Sequence, residues 1–530
     1  MNIYAILAFV VVFAILACVY KYGVSDYLSK LYIEYRGSKI IFVPDMEGNA
    51  VAHVSLLREA LYVDGFEKYV YENMSEKDLF EFWMDNIHKL RVQSGYTIIC
   101  GGDTIDKHFA NIHDKFAMYD LYEFWVSLKE NNPSMVFLIA GNRDSNKTRI
   151  VPLMCKFNEI MKKEKEFRVT EAFITAFNGP ANKGLCEGLK VMMTKGEKIT
   201  AIKFIELILQ KTMGITSSDF ILHLSKQVNL NIYERPTDEE IVKMFIDNFS
   251  VGSAWHEYMK KARIYHIIGS NLFSHCIPVP FKSDGKECFD LTEVCRDLDS
   301  FYTSCVGQIG VDGADWSKWD AYWLPNKKSW ATTQFQDVNF KLTEYRDWLS
   351  ALKKYGIKNL VSGHLPVGAT PSIECLKEFG ITIFRLDMHT QMTAIDVIDG
   401  KTTTGNICHF KFSPNGAWAC NGTVFGTNYT SSDKDPNLEL YGEEVMMNGE
   451  KWVVRNICGG SVHLHYFLHT PPSNGNPPKW ETKYMCLKVN DSNLSGVNII
   501  STGSSATDSK TSSNDSKHKR RTSNSPSKKK

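Results

Sequence analysis

Five short stretches of this 530-residue chain carry side chains that bind metal cations, and each follows a run of apolar residues. The first is Pro44-Asp45-Met46-Glu47-Gly48-Asn49 and the second Gly101-Gly102-Asp103-Thr104-Ile105-Asp106-Lys107. The third is Gly141-Asn142-Arg143-Asp144, the fourth is His275 alone, and the fifth is Gly363-His364-Leu365-Pro366. One aspartate after a strand is ordinarily a turn or a helix cap. Five stretches in succession bearing Asp-x-Glu, Asp, Asn, His and His are a ligand inventory, because carboxylates, a carboxamide and imidazoles are what hard and borderline cations coordinate. The glycines ahead of the ligands let the backbone turn sharply and present the side chains.

The elements that must position these residues are legible as well. Residues 40–43, 97–100, 135–140, 271–274 and 359–362 are short apolar runs ending in polar loops, the pattern of buried strands. Amphipathic helices are expected between them over residues 114–130 and 341–355. The architecture is therefore α/β, and loops at the carboxyl ends of such strands are where sites assemble. Residues 155–262 break the rhythm and read as a helical insertion, with helices expected over 197–212 and 238–249. Trp316, Trp319, Trp323 and Trp330 read as packing rather than as a substrate wall.

Hydrophobic residues make up 43% and charged residues 23% of the chain, which excludes a collagen, a coiled-coil rod or a wholly disordered protein. The formal net charge is +1, so no nucleic-acid partner is expected. The 13 cysteines form no CxxC pair and read mostly as reduced core thiols. Residues 3–20 contain no charge and no proline. At 1.5 Å per residue they span about 27 Å, the thickness of a bilayer core. They read as an uncleaved transmembrane anchor rather than a signal peptide. Lys21, Lys30, Arg36 and Lys39 outnumber Asp26 and Glu34 beyond it, which predicts a single-pass protein whose body faces the cytoplasm. Eight N-x-S/T triplets leave a lumenal or exterior placement as the alternative, with Asn421 and Asn428 as acceptors. A glycan on Asn146, beside the third stretch, would crowd the site and argues for the cytoplasm. Residues 400–488 alternate strand-like runs with Asn/Gly turns. Beyond them a Ser/Lys-rich tail cannot bury a core and is expected to be disordered. Its basic run at residues 517–521 suits anionic lipid, an import receptor or plain solvation.

The order of the five stretches resembles the calcineurin-like metallophosphoesterases, including their serine/threonine protein phosphatase branch. The blocks of that family read D-x-H-G, G-D-x-x-D, G-N-H-[DE], a later H, and G-H. Gly363-His364-Leu365-Pro366-Val367-Gly368 and the G-N-R-D block at residues 141–144 are similar to one subgroup of it. The resemblance implies a central β-sandwich flanked by helices over residues 39–395, with the insertion at 155–262. An anchor at 1–21, a linker at 22–38, a β-rich extension at 396–488 and a disordered basic tail at 489–530 lie outside it. It also implies two di- or trivalent ions (Mn, Fe, Mg or Zn) about 3.5–4 Å apart. Asp45 and Glu47 would bind the first, Asp103 would bridge, and Asn142, His275 and His364 would bind the second. Asp106, Arg143 and Asp144 would be catalytic, and Lys107 with Arg143 would hold substrate phosphate.

Two residues depart from the family. Glu47 replaces a histidine, which a hard cation tolerates. Arg143 replaces the histidine that protonates the leaving group, and a guanidinium is a poor proton donor at neutral pH. Another acid is then required, with a metal-bound water, His108, His113 and His389 as candidates, or turnover is limited to good leaving groups, or catalysis is lost. The expected activity is phosphomonoester hydrolysis by an ion-activated hydroxide, with phosphoproteins as the first substrate class and small metabolites or nucleotides as the alternative. A phosphate-binding scaffold without turnover is the competing reading.

Overall fold

The computed structural model describes residues 39–45, 50–105, 120–161, 166–179, 182–212, 237–311, 314, 317–323, 329–330, 342–364, 371–387, 407–424, 427–434, 441, 444–447, 450–458, 461–470 and 479–488. The apolar N-terminal segment, Glu47, Asp106, Lys107, His108, His113, Trp316, His389 and the C-terminal tail lie outside them. Among the described residues no helix is long and apolar enough to cross a membrane.

The chain is a mixed α/β protein built on two facing sheets. The strands used below are β1 (Lys39–Val43), β2 (Tyr96–Cys100), β3 (Val136–Leu138), β4 (Tyr265–Ile268), β5 (Asn271–Ser274), β6 (Asn359–Ser362), β7 (Ser372–Leu376), β8 (Ile381–Arg385), β9 (Ile407–Phe412), β10 (Trp418–Val424) and β11 (Thr427–Ser432). The first sheet has six strands in the order β11-β10-β9-β1-β2-β3, and the second has five in the order β7-β8-β6-β5-β4. β1, β2 and β3 run parallel, and so do β5, β6 and β8.

Side-chain alternation explains why these strands read as unbroken apolar runs. Ile40 and Phe42 of β1 point into the layer between the sheets, where Ile99, Phe273, Val361 and Phe384 meet them. Ile41 and Val43 point the other way, into the larger core under the helices with Ile98, Leu138 and Leu360. With both faces buried, neither can be polar. Phe42 and Phe273 stack across the sheets at 5.9 Å between centroids, a contact worth about 0.5–1.5 kcal/mol beyond its buried area.

The segment read as a β-rich extension does form strands, and β9 to β11 belong to the sandwich. β9 pairs antiparallel with β1, Ile40 opposite Phe412. Phe410, Phe412 and Trp418 fill the inter-sheet layer. Four later strands, from Glu444–Met447 to Lys479–Lys488, form a separate sheet whose Trp452 and Val454 cap the same layer.

The described residues of the 155–262 segment are largely helical. The helix expected over 197–212 begins at Ala201, because Lys198–Ile199 pairs instead with Phe167–Arg168 and Thr200 Oγ1 accepts the Lys203 N–H at 3.2 Å. The other expected helix is present as Asp238–Asn248, opened by a capping box from Thr237 and Glu240. Phe157, Phe173, Phe177 and Phe204 cluster in this part, with Phe157 stacked on Phe204 at 4.4 Å. Trp319, Trp323 and Trp330 are buried, as packing residues should be. Cys100, Cys155, Cys186, Cys276, Cys288, Cys295, Cys305, Cys375 and Cys420 are free thiols.

Candidate metal centre

Parallel strands in both sheets end on the same side, and their ends carry the ligand candidates. Asp45 follows β1, Asp103 follows β2, Asn142 follows β3, His275 follows β5 and His364 follows β6. Ligand atoms of Asp45, Asp103, His275 and His364 all lie within 4.8 Å of one another. Asp45, Asp103 and His275 are buried. His275 Nε2 is 3.0 Å from Asn142 Oδ1, 3.2 Å from His364 Nδ1 and 3.4 Å from Asp103 Oδ1. His275 Nδ1 faces the Gly101 carbonyl at 2.9 Å and Asp45 Oδ1 at 3.6 Å.

The backbone is bent to achieve this. Among the described residues, the only non-glycine residues with positive φ are Asp103 at 48° and His364 at 70°. Both are proposed ligands, and such strain collects where function requires it. Two glycines make room. A Cβ on Gly141 would lie 2.1 Å from Asp103 Oδ1, and one on Gly363 would lie 2.2 Å from Asp45 Oδ1. Gly141→Ala should therefore push Asp103 out of position and cost about 10²-fold in any metal-dependent rate. A metal titration beside the rate measurement checks this, since weakened metal binding must accompany the loss.

The set fits a cation. A neutral His275 whose hydrogen is on Nδ1 turns a bare Nε2 towards the oxygens of Asn142 and Asp103, acceptor facing acceptor, and an ion among them would be coordinated by all. The Nδ1–H of His275 donates to a backbone carbonyl, which fixes the tautomer that leaves Nε2 for a metal. His364 Nε2 is buried and has no hydrogen-bond partner, a costly state unless the site holds something more than protein.

Without metal, a proton takes the ion's place. Burial alone would lower the His275 pKa, but the charges of Asp103 and Asp45 and the bond to Asp103 outweigh it and push the ring up to about 10. Burial and the charged His275 ring hold His364 down at about 3. Burial opposes ionisation of Asp103, yet His275 and then Arg143 keep its carboxyl well below the usual range. The sign of the pH dependence follows. Stability from His275 is complete below its ordinary pKa of 6.5 and is lost as pH rises towards 10. Stability from neutral His364 is present above 6.5 and is lost as pH falls towards 3. Metal-free protein should unfold at its highest temperature near pH 6.5, as far as this pair decides it. Added Mn²⁺ should remove the alkaline decline, because a metal ligand needs no proton. Thermal unfolding with chelator and with Mn²⁺ across pH 4–10 checks both.

Arg143 is not directed away from the site. Its backbone N–H donates to Asp103 Oδ1 at 2.8 Å and its Nε lies 3.3 Å from Asp103 Oδ2, while a fifth of the side chain stays exposed. Asp144, expected among the catalytic residues, is placed differently. It is fully buried, and its carboxylate accepts the N–H groups of Asp103 at 2.8 Å, Thr104 at 3.2 Å and Gly141 at 2.9 Å. The Tyr122 hydroxyl donates to it at 2.7 Å. Burial and then the neighbouring Asp103 charge raise its pKa. With four donors on two oxygens, Asp144 is a clamp between the second and third ligand loops.

The sequence reading missed several residues that build the centre. Tyr122 is one. Trp255 Nε1 donates to the Asp144 carbonyl at 2.9 Å and Trp319 Nε1 to the Ser145 carbonyl at 3.4 Å, so the insertion and the Trp-rich stretch both hold the short helix Asn142–Asn146. Lys147, 1% exposed, donates to the Arg143 carbonyl at 2.9 Å. None had a sequence signal, because each acts through a carbonyl or a carboxylate distant in the chain. Glu47, Asp106 and Lys107 lie outside the described residues. No family model matches the chain, and no curated protein or solved structure matches it.

Proposed function

We propose that the chain is a two-metal phosphomonoesterase of the calcineurin-like metallophosphoesterase type, acting on phosphoproteins and held at a membrane by its N-terminal apolar segment. One observation carries the reading: Asp45, Asp103, Asn142, His275 and His364 converge from five strand ends in the order of that family's blocks. Asp45 with Glu47 would hold one cation, Asp103 would bridge, and Asn142, His275 and His364 would hold the other. Two such ions lower the pKa of a water between them and neutralise an anionic ester. Arg143, anchored on Asp103 with part of its guanidinium exposed, would bind the phosphoryl oxygens and stabilise charge as the ester bond breaks. Lys107 would add a point charge to the same group. Asp144 would keep the Asp103 and Asn142 loops in register.

The second reading, a phosphate-binding scaffold without turnover, is favoured by one feature. Arg143 fills the position of the proton donor and cannot donate a proton at neutral pH. Mn²⁺-dependent hydrolysis of an aryl phosphate separates the two, since a good leaving group needs no acid. Turnover supports the enzyme. Metal and phosphate binding without turnover supports the scaffold, as does an Arg143→His variant that gains nothing. Comparing a phosphopeptide with a nucleoside monophosphate then tests the substrate class.

A further inference from the structure

Two ligand sets share the same two imidazoles. Beside the carboxylate set, His275, Cys276 and His364 also present ligand atoms within 4.8 Å of one another. Successive residues of a strand point to opposite sides, so Cys276 would ordinarily face away from His275. The chain turns there instead, with the Ser274 hydroxyl donating to the Cys276 carbonyl. The Cys276 N–H donates to the Trp330 carbonyl at 3.0 Å and the residue is 1% exposed. Its thiol is thus fixed beside the two rings. The His364 ring belongs to this same group, and its Nε2 is buried without a hydrogen-bond partner.

Cysteine changes what the rings select. Carboxylates suit Mn²⁺ and Mg²⁺, whereas a thiolate with two imidazoles suits Zn²⁺, Cd²⁺ and Co²⁺. His275 Nδ1 is engaged by the Gly101 carbonyl, so only its Nε2 is left, and one nitrogen cannot serve two cations. We propose that His275, Cys276 and His364 form a thiophilic coordination site, overlapping the carboxylate centre, through which soft divalent cations displace the hard ions. On coordination the Sγ–H bond breaks, its proton leaves to solvent, and the sulfur electron pair binds the cation. The proposal rests on the metal reading of the centre made above, and the test separates them.

The full-length chain, stripped with chelator, is titrated with Co²⁺ and followed by near-ultraviolet absorption. Wild type should give a thiolate-to-cobalt charge-transfer band that Cys276→Ser and Cys276→Ala lack, although twelve other cysteines remain. In Mn²⁺-loaded protein, Cd²⁺ should release Mn²⁺, read from the electron paramagnetic resonance of the free ion. Cys276→Ser should raise the Cd²⁺ needed by at least about 10-fold, the scale on which even supporting residues alter metal affinity. An equally strong band in the serine variant overturns the proposal, and so does equal Mn²⁺ release from both proteins. Bound Mn²⁺ with no Cys276-dependent band overturns the thiolate site alone. A Cys276-dependent band in a chain that binds no Mn²⁺ supports the thiolate site and overturns the carboxylate centre.

Discussion

Replacing Asp103 by asparagine should lower Mn²⁺-dependent aryl phosphate hydrolysis by at least about 10³-fold, because it removes the charge on which the centre depends. Its carboxylate takes the Arg143 N–H on Oδ1, the Arg143 guanidinium on Oδ2, and lies 3.4 Å from His275 Nε2. Asparagine keeps the shape and can still accept from the Arg143 N–H. The fold should therefore survive while bound metal falls from two ions to one or none, counted by mass spectrometry. The pKa of His275 should drop towards its ordinary range, since Asp103 is the leading group that raises it. An Asp103→Asn protein with wild-type turnover and wild-type metal content would remove Asp103 from the mechanism.

The second large effect is on stability. Asp144→Ala strands the N–H groups of Asp103, Thr104 and Gly141 and the Tyr122 hydroxyl in a buried place. A hydrogen bond to a charged group contributes about 1.5–3 kcal/mol, and unpaired buried donors add their own desolvation cost. Losses within one network are not additive, so the expected destabilisation is about 3–5 kcal/mol. Tyr122→Phe, which removes one donor along with its bond, should cost only about 1 kcal/mol. Denaturant unfolding of the metal-free proteins measures both. A residue needed only for chemistry would leave stability untouched, so an Asp144→Ala protein as stable as wild type would contradict its role as the clamp.

Much of this site was legible because its residues act locally. Asp45, Asp103, Asn142, His275 and His364 each terminate a run that must be a strand, and parallel strands deliver their ends to one side. The apolar runs were equally plain, since Ile40 to Val43 are buried on both faces. What stayed hidden was non-local. Nothing in residues 407–412 says that they pair with β1, more than 350 residues earlier. Asp144 closes the Gly-Asn-Arg-Asp block and so suggested chemistry, yet two of its four partners are backbone groups about 40 residues away, which no local pattern records. Cys276 looked like an ordinary core thiol because nothing local announces the turn that brings it beside His275, where the Ser274 hydroxyl donates to the Cys276 carbonyl. The early start expected for the helix Ala201–Thr212 came from reading its apolar period without the ribbon that precedes it.

The most direct test of the central claim is anomalous X-ray scattering from a crystal of the full-length protein loaded with Mn²⁺. The account predicts two manganese peaks about 3.5–4 Å apart, with Asp103 between them, Asn142, His275 and His364 on one and Asp45 on the other. No peak within bonding distance of Asp103 and His275, or a single ion elsewhere in the chain, would contradict it.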